Sequence, residues 1–240
     1  MLEAESVNRV WQLYVEIVGE LGFTRVLYGY NMNHQSDPYG LDHVLTLSNH
    51  EAAYLDTFIG KGLYRDAPMV RWASKNVGWA SWQRVADAYV AGELTPAERR
   101  VVEFNRSMGV TAGYSVSFKD VSTRAKGAVG LVGAPGVAQA VLDEIWAREK
   151  RHLVALSTTL HLKVTSLPRR IASPLTQRQR EALEWVAQGK TTQDIAILMG
   201  ISAAMVEKHL RLAREALDVD TTAHAVAKAS QLAQIFITET

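Results

Sequence analysis

The sequence predicts an α+β fold in which an N-terminal antiparallel sheet packs between helical layers, followed by a C-terminal domain of four helices. Helical and strand patterns are mixed through the first 165 residues, whereas the apolar patterns after residue 174 all have helical spacing. Between them, TSLPRRIASP (165–174) fits neither pattern. The 240 residues also exceed the usual size of one domain. We therefore predict domains at 1–164 and 174–240, joined by a linker at 165–173.

The first elements follow from the spacing of apolar residues. Residues 7–21 keep helical spacing until Gly22, which predicts an opening helix. Segments 23–30 and 43–48 are rich in β-branched and aromatic residues and flank the turn-prone NHQSDPYG, so they predict two paired strands. Residues 50–62 return to helical spacing and predict a second helix.

A capping box marks the next helix. Thr95 precedes a proline, and Glu98 follows three residues later, which is the arrangement that satisfies free N–H groups at a helix start. Gly109 ends this helix. Segments 110–118 and 126–133 are β-like runs joined by the polar KDVSTRA, which predicts a hairpin, and 137–164 predicts a long helix.

Four helical patterns form the C-terminal domain. Each begins at a hydroxyl residue that can accept hydrogen bonds from free N–H groups, namely Thr176, Thr191 or Thr192, Ser202, and Thr221 or Thr222. The second and third patterns meet at Gly200 with the spacing of a helix-turn-helix. A helical hairpin with a solvated charged face is the alternative, because Asp and Glu about balance Lys and Arg after residue 171.

The segment LTQRQREALEWVAQGKTTQDIAILMGISAAMVEKHL, followed by LDV and AHAV, resembles the DNA-binding domain of the LuxR family of transcription regulators. The resemblance covers nearly all of residues 173–235 and implies a C-terminal four-helix DNA-binding domain that recognises double-stranded DNA at an inverted repeat. It implies a homodimer, with RNA polymerase as a further partner. The residues that we expect at the DNA are Lys190, Thr191, Ser202, Glu207, Lys208, Arg211 and Arg214.

Three positions depart from the family pattern. Gln179 replaces an acidic residue, Met205 a threonine and Thr222 an arginine. The last two changes remove phosphate donors, so the contacts to the DNA backbone are expected to be weaker or differently distributed. Glu207 stands where the family often reads a base and can accept a hydrogen bond from cytosine N4, which indicates a different operator sequence.

Residues 7–165 resemble the autoinducer-binding domain of the quorum-sensing branch of this family, which senses N-acyl-homoserine lactones. The pocket signature of that branch is tryptophan, tyrosine, aspartate-proline, tryptophan and glycine. In this chain it falls on Tyr54, Phe58, Ala67–Pro68, Trp82 and Gly113. We expect the ligand to contact Tyr54, Phe58, Asp66, Trp82, Ser115 and Val129, with Pro68 and Gly113 as support. Core packing is the alternative role for the tryptophans, and we assign that role to Trp72.

The largest departure is Ala67 at the aspartate position, because a methyl group cannot replace a carboxylate that accepts the amide N–H of the ligand. A backbone shift by one residue would let Asp66 take this role, although adjacent side chains normally diverge. Alternatively, the pocket binds an unusual lactone or a different apolar signal. A third interpretation is a ligand-independent regulator whose first domain serves only for dimerisation.

Composition narrows the remaining classes of function. Without cysteine the chain has no disulfide, thiolate metal site or cysteine nucleophile. The acidic N-terminal helix lacks the pattern of a secretory signal, and the chain has no apolar run long enough for a bilayer, so we expect a cytoplasmic protein. The histidines have no paired metal-site spacing and no serine lies in a nucleophile elbow, so we expect neither enzyme activity nor a cofactor other than the signal.

Overall fold

The computed structural model describes residues 1–32, 44–120, 124–167 and 175–236. The chain divides into two compact units. The first contains Met1–Ala4 and Asn8–Lys163, and the second contains Glu5–Val7 and Val164–Thr240. Among the helices within the described ranges, none combines the length and the hydropathy that a membrane span requires.

The first unit alternates helices with strands. In chain order the elements are α1 (Val7–Glu20), β1 (Arg25–Asn31), β2 (Val44–Ser48), α2 (Ala52–Leu55) with a π-helical extension (Asp56–Gly60), a 3₁₀ turn (Leu63–Asp66), α3 (Pro68–Lys75), β3 (Gly78–Ser81), α4 (Gln83–Val90), α5 (Pro96–Ser107), β4 (Gly113–Ser117), β5 (Lys126–Val132) and α6 (Gln139–Ser166).

The five strands form one antiparallel sheet in the order β2-β1-β5-β4-β3. In the centre, Leu27 pairs with Gly130, which in turn pairs with Ser115. Paired residues point to the same face and their chain neighbours point to the opposite face. The sheet therefore has one face of mostly small residues on β4 and β5, and a second face with Tyr28, Val129 and other large side chains.

Helix α6 covers the face with the large side chains, and α1 contacts α6 where Tyr14 Oη lies 2.7 Å from Ser157 Oγ. Tyr28 Oη lies 2.9 Å from Nδ1 of His161 on α6, and Tyr114 stacks on Trp146 of the same helix with ring centroids 4.0 Å apart. The other face is covered by α2, α3 and α5, which form a second apolar cluster with the sheet. The predicted sheet between helical layers is therefore confirmed.

The chain also contains elements that the sequence patterns did not indicate. Helices α3 and α4 and strand β3 have only eight, eight and four residues, too short for a clear period. Helix α6 ends at Ser166, so two residues of the predicted linker are helical, and 168–173 lie outside the described residues. The predicted capping box is present, with Glu98 N donating to Thr95 Oγ1 at 3.2 Å.

The second unit consists, within its described residues, of α7 (Gln177–Ala187), α8 (Thr192–Met199), α9 (Ala203–Leu217) and α10 (Thr222–Gln231). The caps are Thr176, Thr191, Ser202 and Thr221, which decides between the two threonines at the second and fourth helix starts. Gly200 ends α8 with φ 66°, a left-handed conformation that suits glycine in a tight turn. The predicted helix-turn-helix order is confirmed.

Gly113 on β4 has a position that admits no side chain. A Cβ there would overlap the backbone oxygen of Leu131 and lie 3.2 Å from the Trp82 ring. We expect Gly113→Ala to lower the free energy of unfolding by about 1–3 kcal/mol, because the backbone overlap cannot be relieved by a rotamer change. Urea unfolding of the full chain measures this loss.

Gly19→Ala is the matched control, because Gly19 lies in α1 and an added Cβ meets no atom within 4 Å. This variant should gain about 0.5–1 kcal/mol from the better helix propensity of alanine. Equal unfolding midpoints for the two variants would contradict the close approach at Gly113.

Candidate functional site

The first unit contains a partly open cavity of about 250 Å³ between the small-residue face of the sheet and helices α2 to α5. The sheet contributes Leu27, Ser115 and Gly130, and the helical side contributes Tyr54, Phe58 and Val70. Most of this wall is apolar, with a few polar groups, which is the usual composition of a site for a small organic molecule.

Trp82 lies over the sheet at one side of this cavity. Its ring lies close to the backbone at Gly113, and a Cβ added at Gly130 would be 3.6 Å from it. The indole Nε1 donates a hydrogen bond to Ser115 Oγ at 3.0 Å. Two glycines and one serine thus hold the tryptophan against the sheet, with its N–H directed at a hydroxyl that also lines the cavity.

A row of stacked rings lines the helical side. The ring of His50 stacks on Tyr54 with centroids 4.5 Å apart, and Tyr54 stacks on Phe58 at 5.1 Å. The Tyr54 hydroxyl donates to Asn105 Oδ1 at 3.2 Å. Tyr54 and Phe58 are four residues apart in the helical segment that begins at Ala52, so they share one face of it, and His50 stacks on Tyr54 from the residues that precede this helix.

His50 is neutral near pH 7. Burial and the positive charge of Arg25 lower the pKa of His50 to about 4, so protonation requires strongly acidic solution. Burial also raises the pKa of the Tyr54 hydroxyl, which therefore stays protonated. The row of rings presents neutral hydrogen-bonding groups to the cavity.

Positive charge lies at the more exposed part of the wall. Arg106 packs over the ring of Tyr89 at 4.0 Å, and Lys126 Nζ donates to the carbonyl oxygens of Asn76 and Phe118 at 2.7 and 3.0 Å. Among the described residues that line the cavity there is no aspartate or glutamate.

The structure brings most of the sequence-predicted pocket residues together. Tyr54, Phe58, Pro68, Trp82 and Ser115 line the cavity, and Gly113 supports Trp82 from below. His50 and Asn105 were not anticipated. Helical spacing does not indicate the histidine, because His50 precedes the helix start at Ala52, and only its stack on Tyr54 in the folded chain places it at the cavity.

Two of the predicted contact residues are placed differently. Asp66 ends the 3₁₀ turn and is not among the residues that line the cavity, whereas Ala67 is. The one-residue shift that would bring Asp66 to the ligand is therefore absent. Val129 belongs to the wall, but it pairs with Tyr28 and shares its sheet face, so its side chain points toward α6. Val129 offers the cavity only its backbone.

In the second unit, α9 has one buried and one exposed face. Val206, Leu210 and Ala213 are buried, while Glu207, Lys208 and Arg211 are exposed. This division matches a helix that packs on its own domain through one side and can enter a major groove with the other.

Neighbouring side chains orient the polar residues of this face. The Thr192 hydroxyl donates to Glu207 Oε1 at 2.9 Å, and Arg211 pairs with Glu215 on the exposed side. Arg214 donates to Thr222 Oγ1 at 2.8 Å. Thr222, which stands where the family commonly has an arginine, therefore joins α10 to α9.

The helix caps use two of the predicted DNA contacts. Thr191 Oγ1 accepts from Asp194 N and donates to the Asp194 carboxylate, and Ser202 Oγ accepts from Met205 N. Lys190 is exposed next to the first of these caps. Thr191 and Ser202 therefore fix the helix starts, whereas Lys190, Lys208 and Arg211 are the accessible cations.

Comparison with known proteins identifies both units. Residues 6–164 match the family described as autoinducer binding domain, and residues 173–229 match the family of bacterial regulatory proteins, luxR family. The chain is 30% identical over 196 residues to RpaR of Rhodopseudomonas palustris, an HTH-type quorum sensing-dependent transcriptional regulator. That alignment covers 80% of this chain and 75% of RpaR.

Solved structures with the same fold include SdiA of Escherichia coli, with 17% identity and a TM-score of 0.57 over 98% of this chain and 94% of SdiA. CepR2 of Burkholderia cenocepacia, an N-acylhomoserine lactone dependent factor, matches with 16% identity and a TM-score of 0.50 over 66% of this chain and 85% of CepR2. The resemblance seen in the sequence is confirmed, and the chain belongs to the quorum-sensing branch of the LuxR family, as a signal-responsive, DNA-binding transcriptional regulator with an autoinducer-binding domain.

Proposed function

We propose that the autoinducer of this regulator is an N-acyl-homoserine lactone and that it occupies the cavity beside Trp82. The observation that carries the proposal is a mostly apolar cavity with a few polar groups in its wall, among them the indole N–H of Trp82 and the hydroxyl of Tyr54. Such a lactone has a polar head with two carbonyl groups and an apolar tail, so it requires donors at one end and an apolar lining at the other.

The polar head has suitable donors in the wall. Trp82 Nε1 and the Tyr54 hydroxyl each carry a proton that now bonds to another side chain, namely Ser115 and Asn105. A carbonyl oxygen of the ligand takes over or shares these protons at little cost, because one neutral hydrogen bond replaces another. Phe58, Val70 and Leu27 then surround the apolar tail.

The signal acts through the stability of the first domain. A ligand that binds the folded state and not the unfolded chain stabilises the fold by mass action, by about 2.7 kcal/mol at a free concentration one hundred times Kd. An apolar cavity of about 250 Å³ has few internal contacts until it is filled. Occupancy therefore raises the population of folded receptor that can bind DNA.

We propose that the regulator assembles as a dimer on its DNA site. Residues 1–164 bind the signal and dimerise through α6, residues 165–173 link the domains, and residues 174–240 bind DNA with a further dimer contact at α10. A two-fold dimer presents two α9 helices to half-sites about one DNA turn apart, at an inverted repeat in double-stranded DNA. The regulator acts in the cytoplasm, with RNA polymerase as its further partner.

The lactone proposal is tested with Trp82→Phe, which keeps an aromatic ring but removes the indole N–H. We expect the affinity for N-octanoyl-homoserine lactone to fall about fivefold, which corresponds to the loss of roughly 1 kcal/mol from one hydrogen bond. Titration calorimetry on the full chain measures the affinity. Trp79→Phe is the control, because Trp79 is 46% exposed and lies outside the described cavity wall.

A wild-type protein with neither calorimetric binding nor a raised melting temperature across a series of acyl-homoserine lactones would disprove the lactone proposal. Mass spectrometry of a solvent extract of the purified protein then separates the two remaining interpretations. A recovered small molecule indicates a different signal, and its absence indicates a ligand-independent regulator.

Asp66→Asn tests which residue faces the ligand. Because Asp66 is absent from the described cavity wall, we expect the lactone affinity of this variant to equal that of the wild type. A clear loss of affinity in the same calorimetric titration would mean that Asp66 contacts the ligand after all.

Arg211→Ala tests the DNA-contacting face of α9. Arg211 is exposed and pairs only with Glu215 among the described residues, so its loss should leave stability unchanged. We expect operator affinity to fall roughly 5- to 30-fold, or about 1–2 kcal/mol, in a gel-shift titration. Arg178→Ala removes a similar exposed ion pair on α7 and should bind DNA normally. Equal affinity of the two variants would exclude this placement of α9.

A further inference from the structure

We infer that the imidazole of His50 accepts the hydrogen bond of the ligand's amide N–H. The family pattern has an aspartate for this role, and Ala67, which stands at that position here, has no acceptor in its side chain. The inference rests on the proposed lactone function and adds the residue that recognises the amide. It is specific to an acyl amide, because an acyl ester has no N–H to donate.

The backbone around His50 is fixed by its neighbours. His50 N donates to Ser48 Oγ at 3.0 Å, and the side chain of Asn49 accepts from Val26 N at 2.6 Å and donates to Thr24 O at 2.9 Å. These bonds tie the segment after β2 to β1. The His50 ring is then held by its stack on Tyr54, so its nitrogen atoms have a defined direction.

The hydrogen-bonding capacity of this ring is unused. His50 is 8% exposed and lines the cavity, and within the described part of the chain neither of its ring nitrogens has a hydrogen-bond partner. The other strongly buried polar side chains of the described wall, Ser115 and Asn31, are both engaged. The ring nitrogens of His50 are not among the fully buried unpartnered side-chain atoms of the described residues, so a donor that enters the cavity can reach them.

Among the nitrogen-bearing side chains of the described wall, His50 is the one suited to the acceptor role. Lys126 and Arg106 only donate, and the Asn105 oxygen already accepts from Tyr54. A neutral imidazole has one protonated nitrogen and one bare nitrogen that accepts. Burial and the charge of Arg25 keep His50 neutral by lowering its pKa to about 4, so the bare nitrogen is present at neutral pH.

The test compares two probes on two full-length proteins. The probes are N-octanoyl-homoserine lactone and the corresponding octanoyloxy lactone, in which an ester oxygen replaces the amide N–H. We expect the wild type to bind the amide about tenfold more tightly than the ester, since one paired hydrogen bond separates the probes. His50→Phe keeps a stacked ring without its nitrogens and should bind both probes equally.

His50→Gln is the second variant, because its side-chain oxygen is again an acceptor, and it should regain part of the amide preference. Asp66→Asn is the control and should keep the full preference. A His50→Phe variant that retains the amide preference, or that loses affinity for both probes equally, would overturn the assignment of His50.

The outcome for the wild type separates this inference from the proposed function. Tight and equal binding of both probes by the wild type would overturn the role of His50 and leave the lactone proposal standing. Failure of the wild type to bind either probe would overturn the lactone proposal and the His50 assignment together.

Discussion

The signal site depends on the difference in side-chain size between the two faces of β4 and β5. Gly113, Ser115, Ala128 and Gly130 leave space on one face, while large side chains fill the other face against α6. Because successive residues of a strand point to opposite faces, this difference is set along only two short strands. The small residues admit the Trp82 ring and leave a cavity beside it, so the sheet determines both the support of the tryptophan and the volume for a ligand.

The more buried polar groups of the cavity are neutral, whereas Lys126 and Arg106 lie at the more exposed part of the wall. Trp82 and Tyr54 donate to partners within the wall, and among the described residues neither ring nitrogen of His50 has a hydrogen-bond partner. A ligand that enters this wall meets hydrogen-bonding groups that are already oriented and need no charge to be desolvated. The described wall has no carboxylate, and the acceptor that we propose in its place is the neutral imidazole of His50.

The DNA-binding unit shows how the departures from the family pattern are compensated. Thr222, at the position where an arginine is common, receives a hydrogen bond from Arg214 and joins two helices. Glu207 is held by Thr192 on the preceding helix, which gives its carboxylate a defined direction on the exposed face. These contacts join α8 to α9 and α9 to α10, while Lys208 and Arg211 of α9 remain exposed.

The sequence by itself determined the two fold classes, the long helices, the paired strands and the helix caps, because periodicity and capping act over a few neighbouring residues. It also determined the family, because the motif residues stand at fixed spacing. Only the tertiary structure decided which side chains reach the cavity. Asp66 and Val129 each lie one residue from a position that faces it, and one residue reverses the direction of a side chain in a strand or changes it sharply at a turn. The role that we propose for His50 likewise depends on its burial and on the position of its ring at the cavity, which long-range packing creates and local sequence does not encode.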